Sequence, residues 1–182
     1  MTRVTREPRP ERIFVQEGDR FELEEFERTL RDKYGPATAI VGWKELKGRT
    51  LEAQAGKETL VLFVRHPQTH EILGVVAGQV LQEESEVIWG SHLLIDPAYV
   101  HWNIGRELIA RAKEKAESLG LPIEIVAEPL LPLWPAGHEP KNAWEILIRY
   151  YQRLGFVFEE YTEKDGKWFP VFVWRPSISS QR

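Results

Sequence analysis

Residues 93–108 read LLIDPAYVHWNIGREL. Leu93, Leu94 and Ile95 close an apolar run, and Asp96-Pro97 ends it, because proline has no N–H to give to a strand ladder. From Ile104 the period changes. Ile104, Leu108, Ala112, Ala116 and Leu119 recur every three or four residues, while Arg106, Arg111, Lys113, Lys115 and Glu117 take the other faces. Gly120 supplies the stop. The stretch therefore reads as a strand that runs through a loop into an amphipathic helix over 104–119. The first N–H groups of a helix have no acceptor within it, and the helix dipole adds positive potential there, so such a start suits a phosphate-like anion. Gly105 permits close approach of the backbone. Any strand–loop–helix join shares these features, so the join alone leaves a purely structural role open.

A second informative stretch is Tyr151-Gln152-Arg153-Leu154-Gly155-Phe156. It ends a helix whose apolar stripe reads Ala143, Ile146, Leu147, Tyr150 and Leu154, with Gly155 as the stop. That stripe puts Tyr150 in the core and turns Tyr151 about 100° away from it. A phenol with an ordinary pKa of about 10 can protonate a departing thiolate of similar basicity. An aromatic ring packed beneath a sheet is the alternative reading.

Working outward, residues 12–16 read as a first strand. A helix follows, capped by Asp19, with Phe21, Phe26 and Leu30 on one side and Gly35-Pro36 as its stop. Trp43, Leu46 and Leu51 suggest an irregular second helix. Strands are expected over 59–65, 72–82 and 86–95, joined by hairpins, then over 122–127 after the 104–119 helix. The chain closes in a hairpin, 156–161 with 168–174, around Lys164-Asp165-Gly166. Hairpins are antiparallel and strand–helix–strand crossovers are parallel, so the expectation is an α/β mixed sheet with helices on both faces.

The chain has 182 residues, 42% hydrophobic and 29% charged, which fits one domain over 1–182 with a loose lead-in at 1–10 and a polar tail at 176–182. Its apolar runs fall far short of the ~20 residues of a membrane helix, and no apolar segment follows the initial arginines as in a signal peptide. There is no cysteine, which excludes disulfides and thiolate chemistry. A cytoplasmic location is expected. A net charge of −4 argues against nucleic acid as the main partner. Methionine occurs once, asparagine only at 103 and 142, and arginine outnumbers lysine; this composition suits a thermophile, although GC-rich coding gives the same arginine bias. The five histidines show no ligand spacing, so no metal is expected.

Together the two stretches resemble the GNAT superfamily of acyl-CoA-dependent N-acyltransferases. Ile95-Asp96-Pro97 matches that family's Val-x-Pro turn, and residues 100–105 occupy its Gln/Arg-x-x-Gly-x-Gly/Ala loop, with Val100 in place of Gln/Arg and Asn103 in place of the first glycine. Asn tolerates the left-handed conformation better than most residues. Tyr151 to Phe156 matches the family's Tyr-x-x-Leu-Gly-Phe segment. The resemblance implies a splayed mixed sheet of about seven strands. It implies acetyl-CoA as co-substrate, with the diphosphate against the amides of His101, Trp102, Asn103, Ile104, Gly105 and Arg106 beside Val100, and pantetheine along Leu93, Leu94 and Ile95. His101 and Trp102 are expected to point outward or along the cofactor. A primary amine, on a small molecule or a peptide, attacks the thioester directly, and Tyr151 protonates the leaving thiolate. Family bases share a strand face with Ile95, which here gives Trp89, Ser91 and Leu93. His92 has the other parity, and Glu128 at the end of the fifth strand is the candidate base. Glu84 and Glu86 read as exposed turn residues. Trp43, Trp134 and His138 are candidate acceptor-site residues. Trp168, Phe169, Phe172 and Trp174 suggest a homodimer face. The competing reading is a GNAT-like domain without catalysis that binds CoA or a protein.

Overall fold

The computed structural model describes residues 6–35, 59–82, 87–127, 143–164 and 166–177. Its elements are β1 (Val15–Gly18), α1 (Arg20–Tyr34), β2 (Thr59–Arg65), β3 (Ile72–Gln82), β4 (Val87–Ile95), a 3-10 segment (Pro97–Trp102), α2 (Ile104–Leu119), β5 (Ile123–Val126), α3 (Ala143–Arg153), β6 (Val157–Lys164) and β7 (Lys167–Trp174). The strands form one seven-stranded sheet in the order β1-β2-β3-β4-β5-β7-β6. Every pair is antiparallel except β4 with β5. The expected mixed α/β architecture is what the chain adopts.

The parallel pair positions the site. It joins only Trp89 to Ile123, Gly90 to Glu124 and Ser91 to Ile125. β5 ends at Val126, and Ala127 donates its N–H to Pro170 O at the β7 side. β4 continues to Ile95, held on its other edge by β3. From His92 onward β4 therefore leaves β5, and the sheet opens as a fork. The Ser91 hydroxyl, donating to Glu124 O at 3.1 Å, ties the last pair before the opening.

Each face of the sheet has its own core. Leu62, Val64, Val76, Trp89, Ile123, Ile125 and Phe172 pack with Ile104, Leu108, Ile109 and Ala112 of α2 and Tyr151 of α3. On the opposite face Val61, Phe63, Val75, Ala77 and Leu94 pack under Leu23, Phe26 and Leu30 of α1. Burying a residue such as Phe26 completely contributes about 1.5–3 kcal/mol. α1 starts with a capping box: Asp19 accepts from the Phe21 N–H at 2.8 Å, and Glu22 accepts from the Asp19 N–H at 2.7 Å. Phe21 is exposed instead of joining Phe26 and Leu30, because the buried stripe is Leu23, Phe26, Glu27 and Leu30, and position 21 lies outside it. Gly120 is left-handed at φ 66°, and Leu121 N–H bonds back to Ala116 O, closing α2.

Several boundaries move. β1 begins three residues later than the expected 12–16 strand and ends two later, and β6 runs on to Lys164. Phe169 and Phe172 of the proposed dimer face are buried within the sheet; Trp168 is 59% exposed. The 36–58 stretch, with Trp43, lies outside the described residues, as do Glu84, Glu86, Glu128, Trp134 and His138. No helix of the described residues is long and apolar enough to cross a membrane.

Candidate active site

The loop between β4 and α2 is fixed from below by Asp96, a fully buried carboxylate. It accepts from the Ala98 N–H at 3.0 Å, the Lys33 ammonium at 2.9 Å and the Tyr34 hydroxyl at 2.5 Å. The C-terminal turn of α1 is thus bound to the turn that opens the loop. Burial works against the Lys33 charge, but its bonds to Glu71 and Asp96 prevail and hold its pKa above the ordinary lysine value. Burial, then the bond to Asp96, pushes the Tyr34 phenol up to about 12.

Residues 97–102 form the 3-10 segment, and Asn103 bridges to α2 with φ 56° and ψ 34°. Asn103 therefore adopts the left-handed geometry expected where the family carries glycine. The backbone ladder into α2 includes the Glu107 N–H to Asn103 O at 3.4 Å, so the amides of Ile104, Gly105 and Arg106 sit at the free end of the helix. Val100 and Arg106 are exposed, and Ile104 is core. Leu93 and Ile95 turn toward the α2 core, and Leu94 turns toward α1.

Trp102 does not point outward: it is 1% exposed. Its indole packs on Tyr99 and His66, and its N–H donates to Glu7 O at 3.0 Å. The His101 ring also meets Glu7 O, at 2.7 Å. Arg9 donates to Trp102 O at 2.7 Å and pairs with Glu107 at 3.0 Å. Residues 7 and 9, read from sequence as part of a loose lead-in, are strapped across the loop. Sequence could not reveal this, since short proline-rich polar segments carry no periodicity. His66 accepts the Gln68 and Thr69 N–H groups through Nδ1 and meets Glu7 through Nε2, which makes it the hub of a turn.

The two tyrosines of α3 exchange their expected places. Tyr151 is 5% exposed, stacked on Phe172 with ring centroids 4.9 Å apart, and edge-on to Phe156. Leu147, Ile148 and Leu154 pack with it against the core. Tyr150 is 37% exposed and Ile146 45%. The Tyr150 phenol reaches the start of α2, where a Cβ on Gly105 would collide with its hydroxyl and would meet its Cζ at 3.4 Å and Leu93 Cδ2 at 3.5 Å. Burial pushes the Tyr150 phenol above the ordinary tyrosine value. Phe172 pairs with Ile125, the residue at the mouth of the fork, so Tyr151 lies beneath the fork on the α2 side. His92, on β4, stands at the same level.

A family model described as the acetyltransferase (GNAT) family matches residues 23–156. No curated protein matches the chain. Among solved structures, an acetyltransferase of the GNAT family from Streptococcus pneumoniae is 16% identical; the match covers 89% of this chain and 96% of that one at a TM-score of 0.56. Glucosamine-6-phosphate N-acetyltransferase from Arabidopsis thaliana is 9% identical, with 85% and 98% covered and a TM-score of 0.53. The spermidine/spermine N-acetyltransferase from Vibrio cholerae is 15% identical, with 89% and 92% covered and a TM-score of 0.54. These identities speak to the fold alone. The family model spans most of the chain, from α1 to the end of the Tyr151 segment, and on that match the chain belongs to the acetyltransferase (GNAT) family.

Proposed function

We propose that the protein transfers an acetyl group from acetyl-CoA to a primary amine by direct attack. The observation that carries this reading is the fork between β4 and β5, which opens directly beside the free end of α2. An extended thioester arm laid in the fork finds a β4 edge along residues 93–95 that no described strand pairs, while its diphosphate meets the amides of Ile104, Gly105 and Arg106 at the start of α2, the Asn103 N–H being already bonded to Val100 O. The helix start favours that charge. Tyr151 sits under the fork, and its phenol is the candidate general acid for the departing thiolate. Burial there also excludes water, which would otherwise compete with the amine for the thioester.

The Tyr150 phenol against Gly105, and Val100 in place of the family's polar residue, favour a second reading: a domain that holds CoA without turnover. Calorimetry with acetyl-CoA and with CoA, combined with thiol release on a panel of primary amines, separates the two. Binding with amine-dependent thiol release supports the enzyme. Binding without release supports the module, and no binding overturns both.

A further inference from the structure

We propose that Arg9 is a positioning residue for the diphosphate cradle: its guanidinium masks the negative groups at the mouth of α2 and so sets the potential that the free amides present. The proposal rests on the acetyl-CoA reading above and deepens it by bringing a residue from outside the loop into cofactor binding. The start of α2 carries a liability. Glu107 lies in its first turn, and the Trp102 carbonyl lies just before its cap residue Asn103. A carboxylate there suits the helix itself, through the dipole. It repels a diphosphate that would use the same amides. Arg106 and Glu107 stand side by side and offset each other, and Val100 supplies no polar group where the family carries Gln or Arg. A net cation at this mouth has to come from elsewhere in the chain.

Arg9 meets both negative groups at once. Its Nε donates to Trp102 O at 2.7 Å and its Nη2 to Glu107 Oε1 at 3.0 Å. The left-handed Asn103 turns the Trp102 carbonyl out of the α2 ladder, in which Glu107 N–H bonds to Asn103 O. In a regular helix the Trp102 carbonyl would take the Arg106 N–H. Here it takes Arg9, and that amide stays with the cradle. The segment that delivers Arg9 is fixed by bonds of its own. Glu7 O accepts from the Trp102 indole at 3.0 Å and meets the His101 ring at 2.7 Å, while the Glu7 carboxylate meets His66 Nε2 at 2.8 Å. Residues 7–10 read Glu-Pro-Arg-Pro. A residue that precedes proline is biased to extended backbone, so Arg9 has little freedom left to lose when it docks.

The pair is not primarily a folding device. Both side chains are 38% exposed, and an ion pair that exposed contributes little to stability. Its consequence is the local field, which reaches across one helix turn and is screened by salt. The neighbouring cations are committed to other carboxylates: Lys33 to Asp96 and Glu71, Arg111 to Glu114 and Glu17, and Lys115 to Glu17. Arg9 is therefore the cation that answers Glu107.

The test is calorimetry with acetyl-CoA on the wild type, Arg9→Gln, Glu107→Gln and the double variant, at low and at high salt, with urea unfolding of each. Glutamine removes the charge at either position and keeps a side chain that can hydrogen-bond. Arg9→Gln is expected to bind about fivefold more weakly at low salt, the usual reach of one charge at a helix end. Adding Glu107→Gln is expected to return the affinity to within about twofold of the wild type, because the charge that Arg9 masked has gone. The difference is expected to shrink at high salt, and the unfolding midpoints to stay close together. Unchanged affinity in Arg9→Gln, a loss that Glu107→Gln does not rescue, a loss that persists at high salt, or one that tracks a fallen midpoint overturns the proposal while leaving the acetyl-CoA reading in place. A wild type that does not bind acetyl-CoA overturns that reading, and this proposal with it.

Discussion

The hydroxyl of Tyr150 occupies the space that the first atom of any side chain at Gly105 would need. A phenol from α3 thereby meets the start of α2, and the glycine that the sequence offers to a cofactor backbone serves a tyrosine in this structure. The two roles make different demands. Because the colliding atom is the far end of a half-exposed side chain, Gly105→Ala displaces the phenol without disturbing the backbone. The expected cost is about 1 kcal/mol or less, and it disappears in a Tyr150→Phe background, giving a coupling of at least ~0.5 kcal/mol in a double-mutant cycle. A β-branched residue at 105 also obstructs the cradle, and Gly105→Val is expected to weaken acetyl-CoA binding about tenfold, or 1.4 kcal/mol. Urea denaturation reads the first effect and calorimetry the second.

Gly78 offers the contrast. A Cβ there collides with the carbonyl oxygen of Gly90 and lies 2.7 Å from Ser91 Cα and 2.8 Å from Gly90 C. These atoms are backbone of the neighbouring strand, and β3 and β4 cannot part without breaking their ladder at the fork. Gly78→Ala is expected to destabilise the fold by ~3 kcal/mol or more, in the range of overpacked cores and broken buried networks. A midpoint of urea unfolding close to that of the wild type would show that the two strands yield more readily than their register implies.

Asp96 and Tyr34 give a pH signature. The Tyr34 phenol stands at about 12 in the folded chain, above its ordinary value of 10.0, so the folded state holds its proton more tightly than the unfolded chain does. Its contribution is complete below pH 10 and is lost as pH rises through 12. Lys33 is also raised and adds loss in the same alkaline direction. Unfolding midpoints measured across this window are expected to fall, and Tyr34→Phe is expected to flatten the fall while leaving the neutral-pH fold intact. Asp96→Ala, which strands Lys33 beside an emptied buried site, is expected to cost about 3–5 kcal/mol.

What could be read from residues alone follows from how many faces each element buries. α2 buries one stripe, and its range, its glycine stop and the left-handed Asn103 were all legible. α3 was not. Ile146, Leu147, Ile148, Tyr150, Tyr151 and Leu154 leave hardly a polar side to its second half, so two stripes fit equally well, and only packing against Phe172 and Phe156 selects Tyr151 over Tyr150. β4 is buried on both faces, so alternation cannot say that His92 turns toward α1 and Trp89 toward α2. The unpaired side-chain carbonyl of the buried Gln79 has no sequence signal at all: glutamine in a strand is ordinary until its neighbours are known.

Tyr151 carries the last prediction. Its ring is a structural member of the core, stacked on Phe172 and edge-on to Phe156 and Tyr150, so Tyr151→Ala is expected to cost about 3–5 kcal/mol. Tyr151→Phe keeps the ring and removes one oxygen. If the phenol protonates the leaving thiolate, the Phe variant folds, binds acetyl-CoA within about threefold of the wild type (under ~0.7 kcal/mol), and turns over about 10²–10⁴-fold more slowly. The deficit should also depend on the leaving group. A thioester whose thiol is more acidic than that of CoA needs less protonation as it departs, so the Phe variant should lose less with it. Rates for the wild type and the Phe variant across thioesters of graded thiol acidity measure this directly. Equal losses across the series, or full activity with acetyl-CoA, would assign Tyr151 to packing alone and leave protonation of the thiolate to water.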